Sequence, residues 1–325
     1  MKSIVHIAVA GAALVLAGAS YAENAPGGYP THQVRIIVPY PAGGPTDVLA
    51  RLVAQKLSEG LGQSFFVENL SGASGVVGTG TAANSPGDGH TILFVTNDFA
   101  VAPTVSSKVA YDPVKGFAPV SIMAASPQVV VVHPSFPAKT MQELVSLAKA
   151  NPTKYNYASL GVGFGQLSSE RLFRLGLGLD IVRVPFQGAA PIITSTLAGH
   201  TPIAFLGLPP ATVHIKEGTL RALAVTSAKR SGVFPDVPTM AESGIRGQES
   251  ELVIGAVVPA ATPKPVVDLL QRQIARIVAL PDVKERLDAL GFTAVASTPE
   301  AYAAQIKGDI ETWSKVVRDA NIKVE

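Results

Sequence analysis

The sequence predicts an α/β protein built from two lobes, and three observations support this prediction. Strand-length apolar runs alternate with segments of helical periodicity along the chain. The 325 residues correspond to two domains at roughly 150 residues each. The composition, 47% hydrophobic but 15% charged, is typical of a folded globular protein and not of a disordered one.

Seven apolar runs have the length of strands, and their alternation with helices favours mostly parallel sheets. Ligands of such sheets bind beyond the carboxyl ends of the strands, so two such domains predict a clamp around one cleft. The predicted strands are Val34–Val38, Phe65–Val67, Thr91–Val95, Val129–Val132, Ile181–Val184, Leu220–Val225 and Leu252–Val258.

The helices are predicted from their periodicity and their end signals. Thr46 is the expected N-cap of the first helix, with Gly60 as its stop. Thr140 and Glu143 form a capping box, and Thr298-Pro299-Glu300 supplies an N-cap, a first-position proline and a first-turn acid. Further helices are expected over Leu167–Leu175, ending at Gly176, around Ile192–Leu197, ending at Gly199, and over Leu269–Val278, ending at Pro281.

Residues 1–22 have the features of a secretory signal peptide. Lys2 precedes an apolar run from Ile4 to Leu16, and Ser20-Tyr21-Ala22 places small residues before a cut at Glu23. The run is too short for a membrane anchor, which needs about 20 apolar residues. The sequence therefore predicts a periplasmic protein without a membrane span.

Several classes of function lack support in the sequence. A net charge of +2 gives no electrostatic case for nucleic acid, and the absence of cysteine excludes thiol catalysis and thiolate metal sites. The histidines have no metal-ligand spacing. Gly78–Ala83 fits a dinucleotide pattern with Asp98 twenty residues on, but the first glycine does not follow a strand directly. No catalytic residue, metal or cofactor is predicted, and a secreted α/β enzyme is a remote alternative.

Three glycine-rich loops carry the strongest chemical signal, because each lies between a predicted strand and a predicted helix. Glycine lets the backbone approach a ligand, and a helix start offers free N–H groups to a carboxylate or phosphate. Together they predict one convergent anion site. The loops are Pro39–Asp47, Ser159–Gln166 and Pro185–Pro191.

The chain also resembles the Bug family, the periplasmic receptors of tripartite tricarboxylate transporters. The resemblance begins with Tyr29-Pro30 and Val38–Asp47 and spans nearly the whole chain after residue 22. It continues through Val67-Glu68-Asn69, Tyr111-Asp112-Pro113-Val114, Phe117-Ala118-Pro119-Val120, Asn156-Tyr157-Ala158-Ser159, Val184-Pro185-Phe186, Leu220–Thr226 and Pro235–Thr239.

The resemblance implies a type II periplasmic-binding-protein fold and a carboxylate ligand between two lobes. Residues 23–125 with 251–325 would form the first lobe and residues 126–250 the second. It also implies one large and one small membrane subunit as partners. In such receptors the first loop grips a carboxylate through backbone groups, a role that falls on Pro39–Thr46. The resemblance also implies a monomer, and it leaves open a sensor role for the same fold.

Departures from the family pattern bear on the ligand. Leu206 stands where family members often have an acid that pairs with an ammonium group, and Gln187 replaces a frequent lysine. Leu160, Val162 and Phe164 make the second loop apolar. Apolar walls with backbone donors suit a ring that bears carboxylates. We therefore expect an aromatic mono- or dicarboxylate, with terephthalate as the first candidate and citrate or another aliphatic acid as the rival.

The alternative for Val162 and Phe164 is that they pack the lobe core. Arg183 either pairs with a distal carboxylate or faces solvent or an acid of its own lobe. The candidate ligand-binding residues are Tyr40, Pro41, Ala42, Gly43, Gly44, Thr46, Asn97, Asp98, Phe99, Ser159, Val162, Gly163, Phe164, Gln166, Gln187, Gly188, Ala189, Leu206 and Gly207.

Overall fold

The computed structural model describes residues 27–151, 153–161 and 163–322. The predicted signal peptide and Val162 therefore lie outside the described residues. The strands are β1 (Val34–Val38), β2 (Phe65–Asn69), β3 (Thr91–Val95), β4 (Phe117–Val132), β5 (Asn156–Leu160), β6 (Val182–Phe186), β7 (Ile203–Gly207), β8 (Arg221–Val225), β9 (Glu251–Pro259) and β10 (Thr293–Ala294).

The helices cover most of the remaining chain. Glu170–Gly176 continues the fifth helix as a wider π-helical segment. The helices are α1 (Pro45–Leu61), α2 (Val76–Ala83), α3 (Asp98–Val105), α4 (Met141–Ala150), α5 (Phe164–Ser169), α6 (Ala189–Leu197), α7 (Leu208–Lys216), α8 (Lys264–Ala279), α9 (Pro281–Ala289) and α10 (Pro299–Asp319).

The long strand β4 joins two halves of the sheet. Its first part pairs with β9 and β10, and β9 leads outward to β3, β1 and β2. Its last part pairs with β7 and β8, and β7 leads outward to β5 and β6. We call these two parts the first and the second half-sheet. The mixed α/β architecture is the one that the sequence predicted.

The prediction of mostly parallel strands is wrong at the centre of the sheet. β1 pairs parallel with β2 and β3, and β5 pairs parallel with β6 and β7. Every described pairing of β4 and β9 is antiparallel. Both strands cross between the halves or begin at the crossing, and apolar runs alone do not show the direction of such strands.

The end signals predicted two helix starts correctly and misplaced one helix. Thr140 accepts a hydrogen bond from the Glu143 amide, and Thr298 accepts one from the Ala301 amide. In contrast, α1 begins at Pro45 after Gly44, so Thr46 lies inside the first turn and is not the N-cap. The helix ends at Leu61, and Gly62 in the left-handed conformation terminates it instead of Gly60.

Apolar clusters cover both faces of each half-sheet, and a further cluster joins the halves. We call it the interface cluster, because α3 and α10 of the first half contact α5 of the second half there. Its ring contact is edge-to-face, with the Phe164 and Trp313 centroids 5.2 Å apart. The cluster contains Val101, Val105, Phe164, Leu167, Trp313, Val316 and Val317.

Candidate functional site

The first loop runs from the end of β1 to the start of α1, as the sequence predicted. Its tip, Pro41, Ala42 and Gly43, is exposed, whereas Tyr40 and Gly44 are half-buried. Gly43 adopts a φ of 83°, a left-handed conformation that favours glycine. The loop therefore presents backbone groups, and not long side chains, to whatever binds beyond the strand.

A buried carboxylate in the first turn of α1 holds this loop in its conformation. Asp47 accepts hydrogen bonds from the Gly43 amide (2.9 Å), Arg51 Nε (3.0 Å) and Asn69 Nδ2 (2.9 Å). Asn69 Nδ2 also donates to the Tyr40 carbonyl at 3.1 Å. Burial acts to raise the pKa of Asp47, but these hydrogen bonds outweigh it and hold the pKa below its ordinary value.

Tyr40 connects the first loop to the end of β3. Its hydroxyl lies 2.8 Å from Thr96 Oγ1 and accepts a hydrogen bond from the Thr96 amide at 3.1 Å. Burial, together with the neighbouring Asp98 charge, raises the pKa of Tyr40 above its ordinary range. The Tyr40 hydroxyl is therefore neutral, and the first loop is tied to the residues that begin α3.

Asp98 then connects the end of β3 to the second half-sheet. Its Oδ1 accepts a hydrogen bond from the Phe164 amide at 2.9 Å. The approach requires the neighbouring Gly163, where a Cβ would lie 2.3 Å from the same oxygen and where φ is 92°. Asp98 is half-buried, and burial raises its pKa to about 6 against the opposing effect of the Phe164 amide.

The residues on either side of Asp98 are structural in this arrangement. Asn97 is buried, and its Oδ1 accepts a hydrogen bond from the Val253 amide at 2.9 Å, which fixes the start of α3 to β9. Phe99 is 3% exposed and stacks on Tyr111 with centroids 5.7 Å apart. The Phe99 ring therefore packs in the core of the first half and does not line an open cleft.

The second loop, at the end of β5, also differs from the expectation of apolar cleft walls. Phe164 is 4% exposed and packs on Trp313 in the interface cluster. Ser159 and Gly163 are buried, and Gln166 is half-buried. The alternative in which the Phe164 ring fills a packed interior is thus the one that the structure shows.

Arg183 pairs with an acid of its own half and supports the second loop. Its Nε lies 3.4 Å from Glu170 Oε1. Its Nη1 donates to the carbonyls of Leu160 (3.2 Å) and Gly161 (3.1 Å). Because these carbonyls are engaged from the β6 side, Arg183 is committed to the protein and does not extend towards a distal ligand carboxylate.

The third loop and the end of β7 complete the candidate set. Gln187 is exposed, Gly188 has a φ of 117° and precedes α6, and Ala189 begins that helix. Leu206 is 1% exposed inside the second half, whereas Gly207 at the strand end is half-buried. The Leu206 side chain therefore belongs to the core, and Gly207 is the more accessible of the two.

Hydrogen bonds join the first loop, the end of β3 and the second loop through Tyr40, Thr96, Asp98 and Phe164, and we call these three joined segments the loop cluster. Thr96 and the role of Asn69 were not predicted from the sequence. Both stand at the carboxyl ends of strands that pair parallel with β1. Because such ends share one edge of a sheet, this position was a signal that could have identified them.

A cavity of about 370 Å³ lies next to the loop cluster, on the side where the interface cluster is. It is lined by Asn97 and Phe164, and by Arg171, Asp309 and Trp313. The Arg171 guanidinium lies 5.6 Å from the centre of the Trp313 ring. Burial raises the pKa of Asp309 to about 6, while Asn97, Trp313 and Arg171 act in the opposite direction.

Within the residues that the structure describes, no cluster of three or more His, Asp or Glu side chains could hold a metal ion. In the same part of the chain, no helix combines the length and apolarity that crossing a membrane requires.

The fold and its loop cluster define a periplasmic solute-binding protein, and sequence comparison gives the family. The chain matches the tripartite tricarboxylate transporter family receptors, TctC, over residues 49–322. It belongs to this family. Protein BugT of Bordetella pertussis is similar to it, with 33% identity over 299 residues that cover 91% of this chain and 92% of BugT.

Solved structures support the same assignment. Periplasmic binding protein BugD has a TM-score of 0.77 at 33% identity and covers 91% of this chain and 99% of its own. An R. palustris protein solved with adipate has a TM-score of 0.80 at 32% identity, covering 91% and 99%. MatC from Rhodopseudomonas palustris, with bound malate, has a TM-score of 0.76 at 30% identity, covering 89% and 100%. The matched family is one of transporter receptors, and the BugD structure is described as a periplasmic binding protein.

Proposed function

We propose that this chain is a periplasmic receptor that captures a small dicarboxylate and delivers it to the membrane subunits of a tripartite tricarboxylate-type transporter. The observation that carries the proposal is the meeting of the first loop, the end of β3 and the second loop. The Tyr40 hydroxyl is hydrogen-bonded to Thr96, and Asp98 accepts a hydrogen bond from the Phe164 amide. These loops come from both half-sheets, so a ligand between them contacts both.

The proposed lobes are residues 23–125 with 251–325, and residues 126–250. The pairing of β4 supports this division, because β4 pairs with β9 and β10 at its start and with β7 and β8 at its end. The proposed hinge is the crossing at Ser126–Gln128 and Ser250–Glu251. Ligand-induced closure about such a hinge is the usual response of two-lobed binding proteins.

The ligand class rests on backbone donors and on the relatives. The exposed Pro41–Gly43 tip presents backbone groups, and one structural neighbour contains adipate and another malate. Terephthalate remains the aromatic candidate, supported by the half-buried Leu160 and by Val162 in the sequence. Phe164 and Leu206 are buried, so these two side chains no longer support apolar cleft walls around an aromatic ring. Adipate is therefore the aliphatic candidate of equal standing.

A thermal-shift screen of the chain from Glu23 onward tests the proposal. The panel contains terephthalate, phthalate, benzoate, adipate, malate, succinate, citrate, glutamate and aspartate. A ligand at about 100 times its Kd stabilises the folded state by about 2.7 kcal/mol, which shifts Tm by several degrees. A shift with dicarboxylates supports the proposal. A shift with citrate or amino acids alone would overturn the ligand class, and no shift with any acid would count against carboxylate capture.

Periplasmic delivery requires a separate test. Deleting the gene should abolish uptake of the ligand found in the screen, and the intact gene should restore it. If uptake is unaffected but induction of catabolic genes is lost, the protein serves as the input of a sensor and not as a transport receptor.

A further inference from the structure

Asp98 is an acid without a charged partner at the centre of the loop cluster. Its Oδ1 accepts the Phe164 amide hydrogen bond at 2.9 Å. Among the described residues, no ion pair involves its carboxylate. The other acid of the cluster, Asp47, is 3.0 Å from Arg51 Nε. A dicarboxylate that enters the cluster therefore meets one uncompensated negative charge.

In the described part of the chain, the groups that act on the charge of Asp98 include no cation. The Tyr40 and Tyr111 hydroxyls both interact with its charge, and burial holds the pKa of each above its ordinary range. The sequences of α2 and α5 contain no ionisable side chain. On the side of α10, Asp309 is also acidic, and the nearby Arg171 acts on Asp309.

Placing a ligand carboxylate beside an ionised, half-buried Asp98 is unfavourable, because two like charges at low dielectric raise each other's pKa. The free protein is already close to the required change, since the pKa of Asp98 is about 6. One proton taken from the solvent removes the repulsion. It also converts the carboxyl into a donor that can bond the ligand carboxylate while its other oxygen keeps the Phe164 amide bond.

We propose that Asp98 is the residue that sets the charge of the acceptable ligand, and that a dicarboxylate binds together with one proton that Asp98 takes up from solution. This inference rests on the proposed function and deepens it. Asp98 then selects for ligands that bind with a proton. An amino-acid ligand would have the opposite requirement, because its ammonium group would pair with the ionised carboxylate of Asp98.

Titration calorimetry of the wild-type chain tests the proposal without a variant. Terephthalate is the probe, or adipate if terephthalate does not bind, and the titration is repeated in buffers of low and high ionisation enthalpy. With a free pKa of about 6, we expect uptake of about 0.9 proton per ligand at about pH 7. We also expect Kd to increase about tenfold per pH unit above about pH 7.

Asp98→Asn sharpens the test, because asparagine is neutral and preserves the acceptor for the Phe164 amide. The variant should lose the proton uptake and bind the dicarboxylate up to about a hundredfold more tightly than the wild type at about pH 8. Asp309→Asn is the matched control. The pKa of Asp309 is also about 6, but this residue lies on α10 and not in the loop cluster. Proton uptake on ligand binding should therefore persist in Asp309→Asn.

The outcomes separate the two proposals. Dicarboxylate binding with proton uptake near zero, or weaker binding by Asp98→Asn, would overturn the role of Asp98 and leave the receptor function standing. Binding of glutamate or aspartate without proton uptake, weakened by Asp98→Asn, would show that Asp98 is a counter-ion for an ammonium group. If no acid binds either form at about pH 6, the proposed function fails and this inference fails with it.

Discussion

Two aspartates occupy the first turns of helices that follow neighbouring parallel strands, and their surroundings are opposite. Asp47 in α1 is bonded by Arg51, Asn69 and the Gly43 amide, which lower its pKa against the effect of burial. Asp98 in α3 has one backbone amide as its partner, and burial raises its pKa to about 6. A first-turn acid is thus structural in one loop and titratable in the other. Part of the difference is local, since Arg51 lies four residues after Asp47 whereas Ala102 lies four residues after Asp98.

The largest effect is expected from a glycine that brings Asp98 to the second loop. Gly163→Ala places a Cβ 2.3 Å from Asp98 Oδ1 at a φ of 92°, so the Phe164 hydrogen bond must break or the loop must move. We expect a loss of about 2–3 kcal/mol of stability in chemical denaturation, with loss of ligand binding.

Gly44→Ala is the matched control for that substitution. Its φ is −72°, and the nearest atom to a new Cβ is the Pro41 carbonyl oxygen at 3.5 Å. Because Gly44 is also the N-cap of α1, where alanine is less favourable than glycine, stability should fall by no more than about 1 kcal/mol. If both alanine variants have equal stability, the contact between Asp98 and the second loop does not require glycine at position 163.

An intermediate effect is expected from Asp47→Ala. The substitution removes a buried carboxylate that accepts three hydrogen bonds, so the free energy of unfolding should fall by about 2 kcal/mol near neutral pH. Because the folded pKa of Asp47 is lowered, its contribution is present above the ordinary value of 3.8 and is lost as the pH falls through the folded pKa.

Asp112→Ala is the control for that measurement. Asp112 is an exposed acid that also has a lowered pKa, through the amides of Val114 and Lys115. Its carboxylate accepts hydrogen bonds from the backbone of its own turn and it is not a candidate ligand-binding residue, so ligand affinity should be unchanged. An Asp47→Ala variant with wild-type stability and affinity would contradict a bracing role for Asp47.

The smallest effect on stability, of opposite sign, is expected from Asp98→Asn. The raised pKa means that the folded state retains the proton longer than the unfolded state. The wild type should therefore lose stability relative to the variant as the pH rises from about 4 to about 6, and the difference should level off above that range. At about pH 8 the rise of the Asp98 pKa from 3.8 to about 6 is worth about 3 kcal/mol, and the buried amide donor of the new side chain offsets about 2 kcal/mol of it. The variant should therefore be more stable by about 1 kcal/mol, measured by urea unfolding across the pH series.

A difference between wild type and Asp98→Asn that grows as the pH falls would have the wrong sign and would contradict the raised pKa. Equal stability at every pH would mean that the Asp98 charge is compensated. Either result would also remove the physical basis of the proton uptake, independently of whether a dicarboxylate binds.

Much of the fold could be predicted because its signals are local. Val34–Val38 and Thr91–Val95 are strands with the predicted bounds, and the Thr140 and Thr298 caps form. The first part of β4 and the antiparallel centre were missed, because pairing direction depends on residues far apart in sequence. The start of α1 was placed two residues too late, because Thr46 was expected to be the N-cap whereas Gly44 is the N-cap and Pro45 is the first helical residue.

The candidate site was predictable in its loops but not in its side chains. Glycine-rich turns after strands predict that the backbone can come close to a ligand. The glycines at positions 43, 163 and 188 all have positive φ. The side chains of Phe99, Phe164 and Leu206 were expected at the ligand, yet they are buried in packed clusters. An apolar residue in a loop has no local signal that tells a cleft wall from a core contact.

The sequence by itself determined the α/β alternation, the capped helices, the three glycine-rich loops and the family. These depend on periodicity, turn chemistry and motifs, which act over a few residues. The tertiary structure alone decided that Asn69 reaches Asp47 from β2 and that the Phe164 amide reaches Asp98 across the half-sheets. Charge compensation and burial depend on which distant groups lie within a few ångströms, and that distance exists only once the chain has folded.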